Sequence, residues 1–282
     1  MLIGVNTWVW TSPLGDADIP ALAAKARAMG FDLLELPLET LDGYDRRRAR
    51  AALEAEGLAA SSTLVFPPDR DLIHPDAAPR DNAARYIRGA IDAAAELGSR
   101  TLSGPLYASV GRAWQQTADE RERDLERLVE ALGPLAAYAA DSGVRLGLEP
   151  LNRFETSFVN IADQAIEIID RVDSPGLGVL LDTFHMNLEE KSIGDAIRAT
   201  GSRLSHFHAC ENDRGAPGSG HVPWDEVADA LHAIEFEGPV VIESFTDQVV
   251  TIARAAAVWR PVAASQDALA ADGGAFLRGL LA

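Results

Sequence analysis

The chain has 282 residues, which suits one large α/β domain or two small ones. Acidic residues outnumber basic ones by 43 to 25, giving a formal net charge of −18, and such a surface repels a phosphate backbone, so nucleic acid is not an expected partner. The single cysteine, Cys210, rules out an internal disulfide framework, no apolar run approaches the roughly 18–20 residues of a membrane span, and Met1-Leu2-Ile3-Gly4-Val5 lacks the basic flank of a signal peptide, so a cytoplasmic protein with no membrane partner is expected.

Residues 2–8 read as a first strand. Asp18-Ile19-Pro20 opens a helix, with Asp18 as its N-cap and Pro20 in the first turn, and Gly30 stops it. Residues 32–36 are strand-like, 44–56 helical up to Gly57, and 58–66 a third strand stopped by Pro67-Pro68. A helix over 80–97 ends at Gly98, and 100–106 form a fourth strand. A loop over 107–116 holds Trp114. A helix over 117–142 follows, with Gly133-Pro134 expected to kink it.

The fifth strand covers 144–149. A helix over 160–172 has Asn160 as its candidate cap, and 177–182 form the sixth strand. A short helix over 193–200 precedes the seventh strand, 204–208. A glycine-rich loop, 211–220, leads to a helix over 224–234, and 239–243 are the eighth strand. Helices over 246–259 and 267–281 finish the chain, the second weakened in its middle by Gly273-Gly274.

Eight strands alternating with helices predict parallel pairing with right-handed crossovers, closed into a (β/α)₈ TIM barrel. The whole chain, 1–282, is expected to be one catalytic domain with an extra C-terminal helix. A doubly wound open sheet is the alternative, but no Gly-x-Gly-x-x-Gly follows the first strand. No P-loop, Gly-x-Ser-x-Gly or His-Glu-x-x-His motif is present either.

Four of the later apolar runs stop at residues able to bind a metal: Glu149, Asp182, His208 and Glu243. They are separated by 33, 26 and 35 residues, each gap about one βα unit. In a barrel these positions line one side of the C-terminal mouth, where active sites sit. Three carboxylates and one imidazole make an oxygen-rich set suited to Mn²⁺, with Mg²⁺, Co²⁺ or Fe²⁺ as alternatives. His185 lies three residues past Asp182, and Glu155 and Arg214 lie in loops after ligand-bearing strands, so all three are candidate substrate contacts. His206 shares a strand face with His208 and reads as a packed or supporting residue. Trp8, Trp10 and Trp114 are candidate walls of a sugar site. Trp224 is expected to pack its helix and Cys210 to be a small buried residue.

The stretches Gly147-Leu148-Glu149-Pro150-Leu151-Asn152-Arg153-Phe154-Glu155-Thr156, Leu180-Leu181-Asp182-Thr183-Phe184-His185-Met186-Asn187, His206-Phe207-His208 with Asn212-Asp213-Arg214, and Ile242-Glu243-Ser244-Phe245 resemble the ketose 3-epimerases. These are the D-tagatose, D-psicose and L-ribulose 3-epimerases of the xylose-isomerase-like barrels. The resemblance implies a Mn²⁺-type ion held by Glu149, Asp182, His208 and Glu243, with Glu149 and Glu243 also transferring protons. It implies that Glu155, His185 and Arg214 hold the O1/O2 end of a ketose and that Trp114 and Phe245 are apolar walls. Dimers or tetramers are common in such relatives, so a homo-oligomer is expected. Asn6 stands where some relatives have an aromatic residue, and Ser62-Thr63-Leu64 replaces a cysteine-containing strand end. Asn6 is therefore expected to meet the distal part of the sugar.

The implied reaction removes a proton from C3 of a free ketose on one face and returns it on the other, through an enediolate. Alternatives on the same metal site are a hydroxypyruvate or aldose–ketose isomerase, an inosose dehydratase, or a silent sugar-binding barrel. A repair endonuclease of the same barrel type needs more than six histidines and a basic face.

Overall fold

The computed structural model describes residues 1–282, the side chain of Thr251 excepted. Eight parallel strands close into one barrel: β1 (Leu2–Asn6), β2 (Leu33–Pro37), β3 (Ala59–Thr63), β4 (Thr101–Gly104), β5 (Arg145–Leu148), β6 (Leu177–Asp182), β7 (Leu204–Ala209) and β8 (Pro239–Ile242). Closure comes from β1 pairing with β8, Leu2 opposite Pro239 and Val5 opposite Ile242. Short apolar runs form β1, β2, β6 and β8, as expected of parallel strands covered on both faces, while β3 and β4 carry small Ala, Ser, Thr and Gly side chains.

The helices are α1 (Ile19–Ala28), α2 (Arg46–Glu56), α3 (Ala77–Leu97), α4 (Ala118–Asp141), α5 (Ala162–Val172), α6 (Thr183–Glu189), α7 (Ile193–Thr200), α8 (Trp224–Ala233), α9 (Val250–Ala255) and α10 (Gln266–Leu280). Each of the longer ones turns an apolar stripe inward. Ile87, Ala90, Ile91 and Ala94 of α3 and Leu125, Leu128, Leu132 and Leu135 of α4 join a core continuous with the strands. Among the described residues no helix is long and apolar enough to cross a membrane.

Several local expectations change. Asp18 does not cap α1; its carboxylate accepts instead from Gly15 N at 3.0 Å. Asn160 does not cap α5 either: its amide donates to Leu151 O (2.7 Å) and Thr156 O (3.0 Å), tying down the loop after β5. Helix α4 runs unbroken through Pro134. A helix the sequence reading does not expect, α6, follows β6 directly, and Asp182 caps it by accepting from Phe184 N at 2.8 Å. The helix expected over 246–259 shrinks to the six residues of α9.

Gly273-Gly274 does not break α10. A Cβ on Gly273 would lie 2.7 Å from Pro217 and 2.9 Å from Ile242, and one on Gly274 would lie 2.9 Å from Phe31. The two glycines let the helix approach the barrel closely, and this packing offsets the roughly 1 kcal/mol each costs in helix propensity. Polar ties hold the same helix to the start of the chain: Lys25 and the Trp10 indole both reach Asp267, at 2.8 and 2.7 Å. Trp10 is thus engaged on the outer layer.

Candidate active site

Glu149, Asp182, His208 and Glu243 converge at the C-terminal mouth. Glu149 and Glu243 are each the first residue beyond their strands, Asp182 is the last of β6, and His208 is the penultimate residue of β7. All four are buried. Ligand-type atoms of Asp182, His208 and Glu243 lie within 4.8 Å of one another, and those of Glu149, Asp182 and His185 do the same. Asp182 belongs to both groups, so Glu149 joins the cluster from the Asp182 side.

His208 is bifacial. Its Nε2 lies 2.9 Å from Glu35 Oε1, while its buried Nδ1 has no hydrogen-bond partner among the described residues and stands 3.3 Å from Glu243 Oε1. An orphaned ring nitrogen facing carboxylates, with its opposite nitrogen held by another carboxylate, is the arrangement that metal-ligating histidines adopt. The donor set is three carboxylates and one imidazole, so the residues fit a divalent cation that prefers oxygen.

Arg214 supplies a fixed positive charge. It lies in the loop after β7 with φ of +66°. Its Nη1 donates to Asp182 Oδ2 at 2.6 Å and to Glu243 Oε2 at 2.9 Å, and its guanidinium lies over the rings of Phe184 and Phe245. The loop owes its shape to Glu211, a fully buried acid that accepts from Asn212 N, Gly218 N, Val222 N and the Trp224 indole. Trp224 therefore packs its helix as expected and also anchors this loop.

These charges move one another. Burial pushes Glu149 well above the usual carboxylate range, with Glu243 adding to the rise. Burial also lifts Glu243, to about 7, against the pull of His208 and Arg214. Asp182 feels the same burial but is held at about 2 by Arg214, His185 and His208. Burial pushes His208 down, yet Glu243 and Glu35 outweigh it and raise it to about 10. Burial that raises both glutamates, beside an aspartate that Arg214 keeps ionised, suits the two glutamates to proton exchange.

Beneath the mouth lies a layer that sequence reasoning missed. Glu35, on β2, is fully buried and accepts from Asn6 Nδ2 (2.9 Å) and Ser61 Oγ (2.9 Å) as well as facing His208. His206 Nε2 is 2.9 Å from Glu35 Oε2, out of line for a hydrogen bond. Burial raises the Glu35 carboxyl, but His206 and His208 outweigh it and hold it well below its usual value. The available signal was an acid inside the apolar run Leu33-Leu34-Glu35-Leu36, since a buried charge is rare without a purpose.

Asn6 is a correction. Its Oδ1 accepts from Trp8 N at 2.8 Å and its amide donates to Glu35, and it is wholly buried, so it supports Glu35 beneath the site rather than meeting a sugar. Of the other expected contacts, His185 and Phe245 lie against Arg214 and Glu155 reaches His185 through Asn152, whereas Trp114 packs on the loop after β5. His185 Nε2 is 3.8 Å from Glu149 Oε1 and 3.3 Å from Arg214 Nη2. Burial lowers the His185 pKa, which keeps the ring neutral. Glu155 is joined to His185 through Asn152, whose amide reaches both. Phe245 packs on Trp8 with centroids 5.6 Å apart, and Trp114 stacks on Phe158 at 6.4 Å, with the Arg112 guanidinium also over the Trp114 ring. Cys210 is buried, as expected, with its thiol donating to Glu243 O at 2.7 Å.

Residues 23–278 match the family model of the xylose isomerase-like TIM barrel. Among curated proteins, a ketose 3-epimerase of Arthrobacter globiformis is 34% identical over 280 residues, covering 99% of this chain and 96% of the relative. An L-ribulose 3-epimerase of Mesorhizobium japonicum is 30% identical, covering 98% of this chain and 92% of the relative. Among solved structures, the D-psicose 3-epimerase of Clostridium cellulolyticum H10 with D-tagatose superposes with a TM-score of 0.90 at 32% identity, covering 100% of this chain and 99% of that one. With the closed barrel and the buried acid–histidine cluster, these likenesses show that the chain belongs to the ketose 3-epimerase family of xylose isomerase-like TIM barrels and is an isomerase acting on carbohydrates.

Proposed function

We propose that the protein inverts C3 of free ketoses such as D-tagatose, D-psicose, D-fructose or L-ribulose, with Glu149 and Glu243 exchanging the proton. The observation that carries this reading is the pair of buried glutamates on β5 and β8, three strands apart around the mouth, with Asp182, His208 and Arg214 between them.

Glu149, Asp182, His208 and Glu243 would hold the cation, and Mn²⁺ is the ion proposed because the donors are mostly carboxylate oxygens. When bound, such an ion supplies a Lewis acid that stabilises negative charge developing on the substrate oxygens. The chain's own residues do the rest. One glutamate takes the C3 proton from one face, and the other returns a proton to the opposite face; which acts first depends on the epimer bound. The resulting enediolate carries its charge toward Arg214 and the His185 ring, both fixed before the substrate arrives. Glu155 accepts from the hydroxyl at the C1 end. Phe245 and Trp114 wall the site and exclude water.

The partner is thus a small neutral sugar, which needs no basic surface. A reducing, cytoplasmic setting is proposed on the single buried thiol. Self-association is proposed on the exposed Phe154, Val250 and Trp259.

The test is a panel of ketohexoses and ketopentoses incubated with the enzyme and Mn²⁺ in D₂O. Deuterium incorporation and inversion at C3 are expected. EDTA should silence the activity and Mn²⁺ or Co²⁺ restore it. Exchange at C1 with aldose formation, or no exchange with any ketose, would overturn the assignment.

A further inference from the structure

Asn152 lies four residues beyond β5 and is almost fully buried. Every polar group of its side chain has an assignment. The Oδ1 accepts from Phe154 N at 2.9 Å, closing a tight turn. That fixes the amide orientation and leaves Nδ2, with two N–H bonds, facing two acceptors. These are Glu155 Oε1 at 2.7 Å and His185 Nδ1 at 2.9 Å.

The Asn152 backbone N–H adds a second donor to the same His185 Nδ1, at 3.1 Å. Neither Asn152 N–H group can accept, and their two shorter contacts to Nδ1 together outweigh the single 3.3 Å approach of Arg214 Nη2 to the other ring nitrogen, so Nδ1 presents its lone pair. The single ring proton of a neutral imidazole then sits on Nε2. That atom faces the mouth, 3.8 Å from Glu149 Oε1, 3.9 Å from Asp182 Oδ2 and 3.3 Å from Arg214 Nη2. Two N–H donors this close converge on one acceptor oxygen of a ligand. Glu155, on the other side of the Asn152 amide, offers an acceptor.

We propose that Asn152 is a positioning and specificity residue: it locks His185 as a donor and Glu155 as an acceptor, side by side, so that the site selects an acceptor oxygen next to a hydroxyl. That pattern belongs to a carbonyl carrying a hydroxymethyl group, the C2–C1 end of a ketose. The proposal rests on the ketose reading above and narrows it. A 1-deoxy ketose leaves the Glu155 oxygen without its donor. A ketose bearing phosphate at O1 has no proton to offer there and meets a negative charge. An Asn at this position is required because Asp cannot donate to either neighbour.

The experiment uses the Mn²⁺-loaded enzyme with D-psicose and its 1-deoxy analogue, and the metal-free protein for ¹⁵N NMR of the His185 ring. Wild type should prefer the full ketose by at least about 100-fold in kcat/KM, since a site built to bond a hydroxyl rejects the analogue without it. Asn152→Ala should narrow that preference by about tenfold or more, losing rate chiefly on the full ketose. A merely structural role lowers both substrates alike and leaves the ratio unchanged.

Asn152→Asp keeps the volume but places an acceptor against His185 Nδ1. The wild-type ring should carry its proton on Nε2, and this variant should gain a proton on Nδ1. An unchanged ratio in Asn152→Ala, or a wild-type ring protonated on Nδ1, would overturn the proposal. If wild type turns over neither sugar, the ketose reading fails, while the NMR measurement, which needs no substrate, still decides whether Asn152 sets the ring.

Discussion

Glu35 Oε1 lies 2.9 Å from His208 Nε2, on the side of the ring opposite the three carboxylates of the mouth. The contact fixes the ring so that Nδ1 faces Glu243. Supporting carboxylates of this kind contribute about 10–100-fold to metal affinity. Glu35→Gln should therefore weaken Mn²⁺ binding by at least about tenfold, read by titration calorimetry. An unaltered affinity in a folded variant would remove Glu35 from the metal's support.

Glu149→Gln and Glu243→Gln should each leave a folded barrel whose kcat falls by about 10²–10⁴, the loss expected for a proton-transfer group. Because both residues also face the cation cluster, Mn²⁺ occupancy must be measured alongside. Near-normal turnover in either variant, at full occupancy, would mean that the proton moves through another group.

Arg214 donates to Asp182 and Glu243 while fully enclosed. Taking one partner from a buried ion cluster costs about 3–5 kcal/mol, because the remaining charges stay buried. Arg214→Met should accordingly lower the unfolding free energy of the metal-free protein by an amount of that order, in urea titrations. Mn²⁺ should recover more stability in this variant than in wild type. Equal stability of the two metal-free proteins would show that the carboxylates are neutralised another way.

The Cys210 thiol is raised well above its usual pKa, first by burial and then by Asp182, and it is shielded from solvent. The thiolate is the reactive form. A disulfide reagent at pH 8 should titrate no thiol in the folded protein and one per chain in guanidinium. Rapid labelling of the folded form would contradict this enclosure.

The barrel and the convergence of its acid–histidine cluster were legible because each of those side chains ends an apolar run, and the spacing of those ends is the length of a βα unit. Glu149, Asp182, His208 and Glu243 needed only that pattern to be found. Glu35 was not legible, because its partners His206 and His208 lie more than 170 residues away and join it only when β2 faces β7 across the closed barrel. Asn6 was misread for the same reason: its neighbour Glu35 is set by the pairing of β1 with β2. Asn152 and Asn160 lie in a loop whose bonds run to side chains and backbone beyond the reach of propensity. The helix α6 was missed because its cap, Asp182, was already occupied in the reading as a metal ligand, and one side chain serves both needs.

The strand-end cluster comes wholly from β5 to β8, whereas Asn6, Glu35 and Ser61, which brace it from below, come from β1 to β3. Neither half-barrel carries a finished centre. Expressed apart, the second half would own every acid of the mouth and still hold His208 loosely. Any swap of halves between relatives must carry the bracing triplet across with them, so the two ends of the gene are bound to change in step.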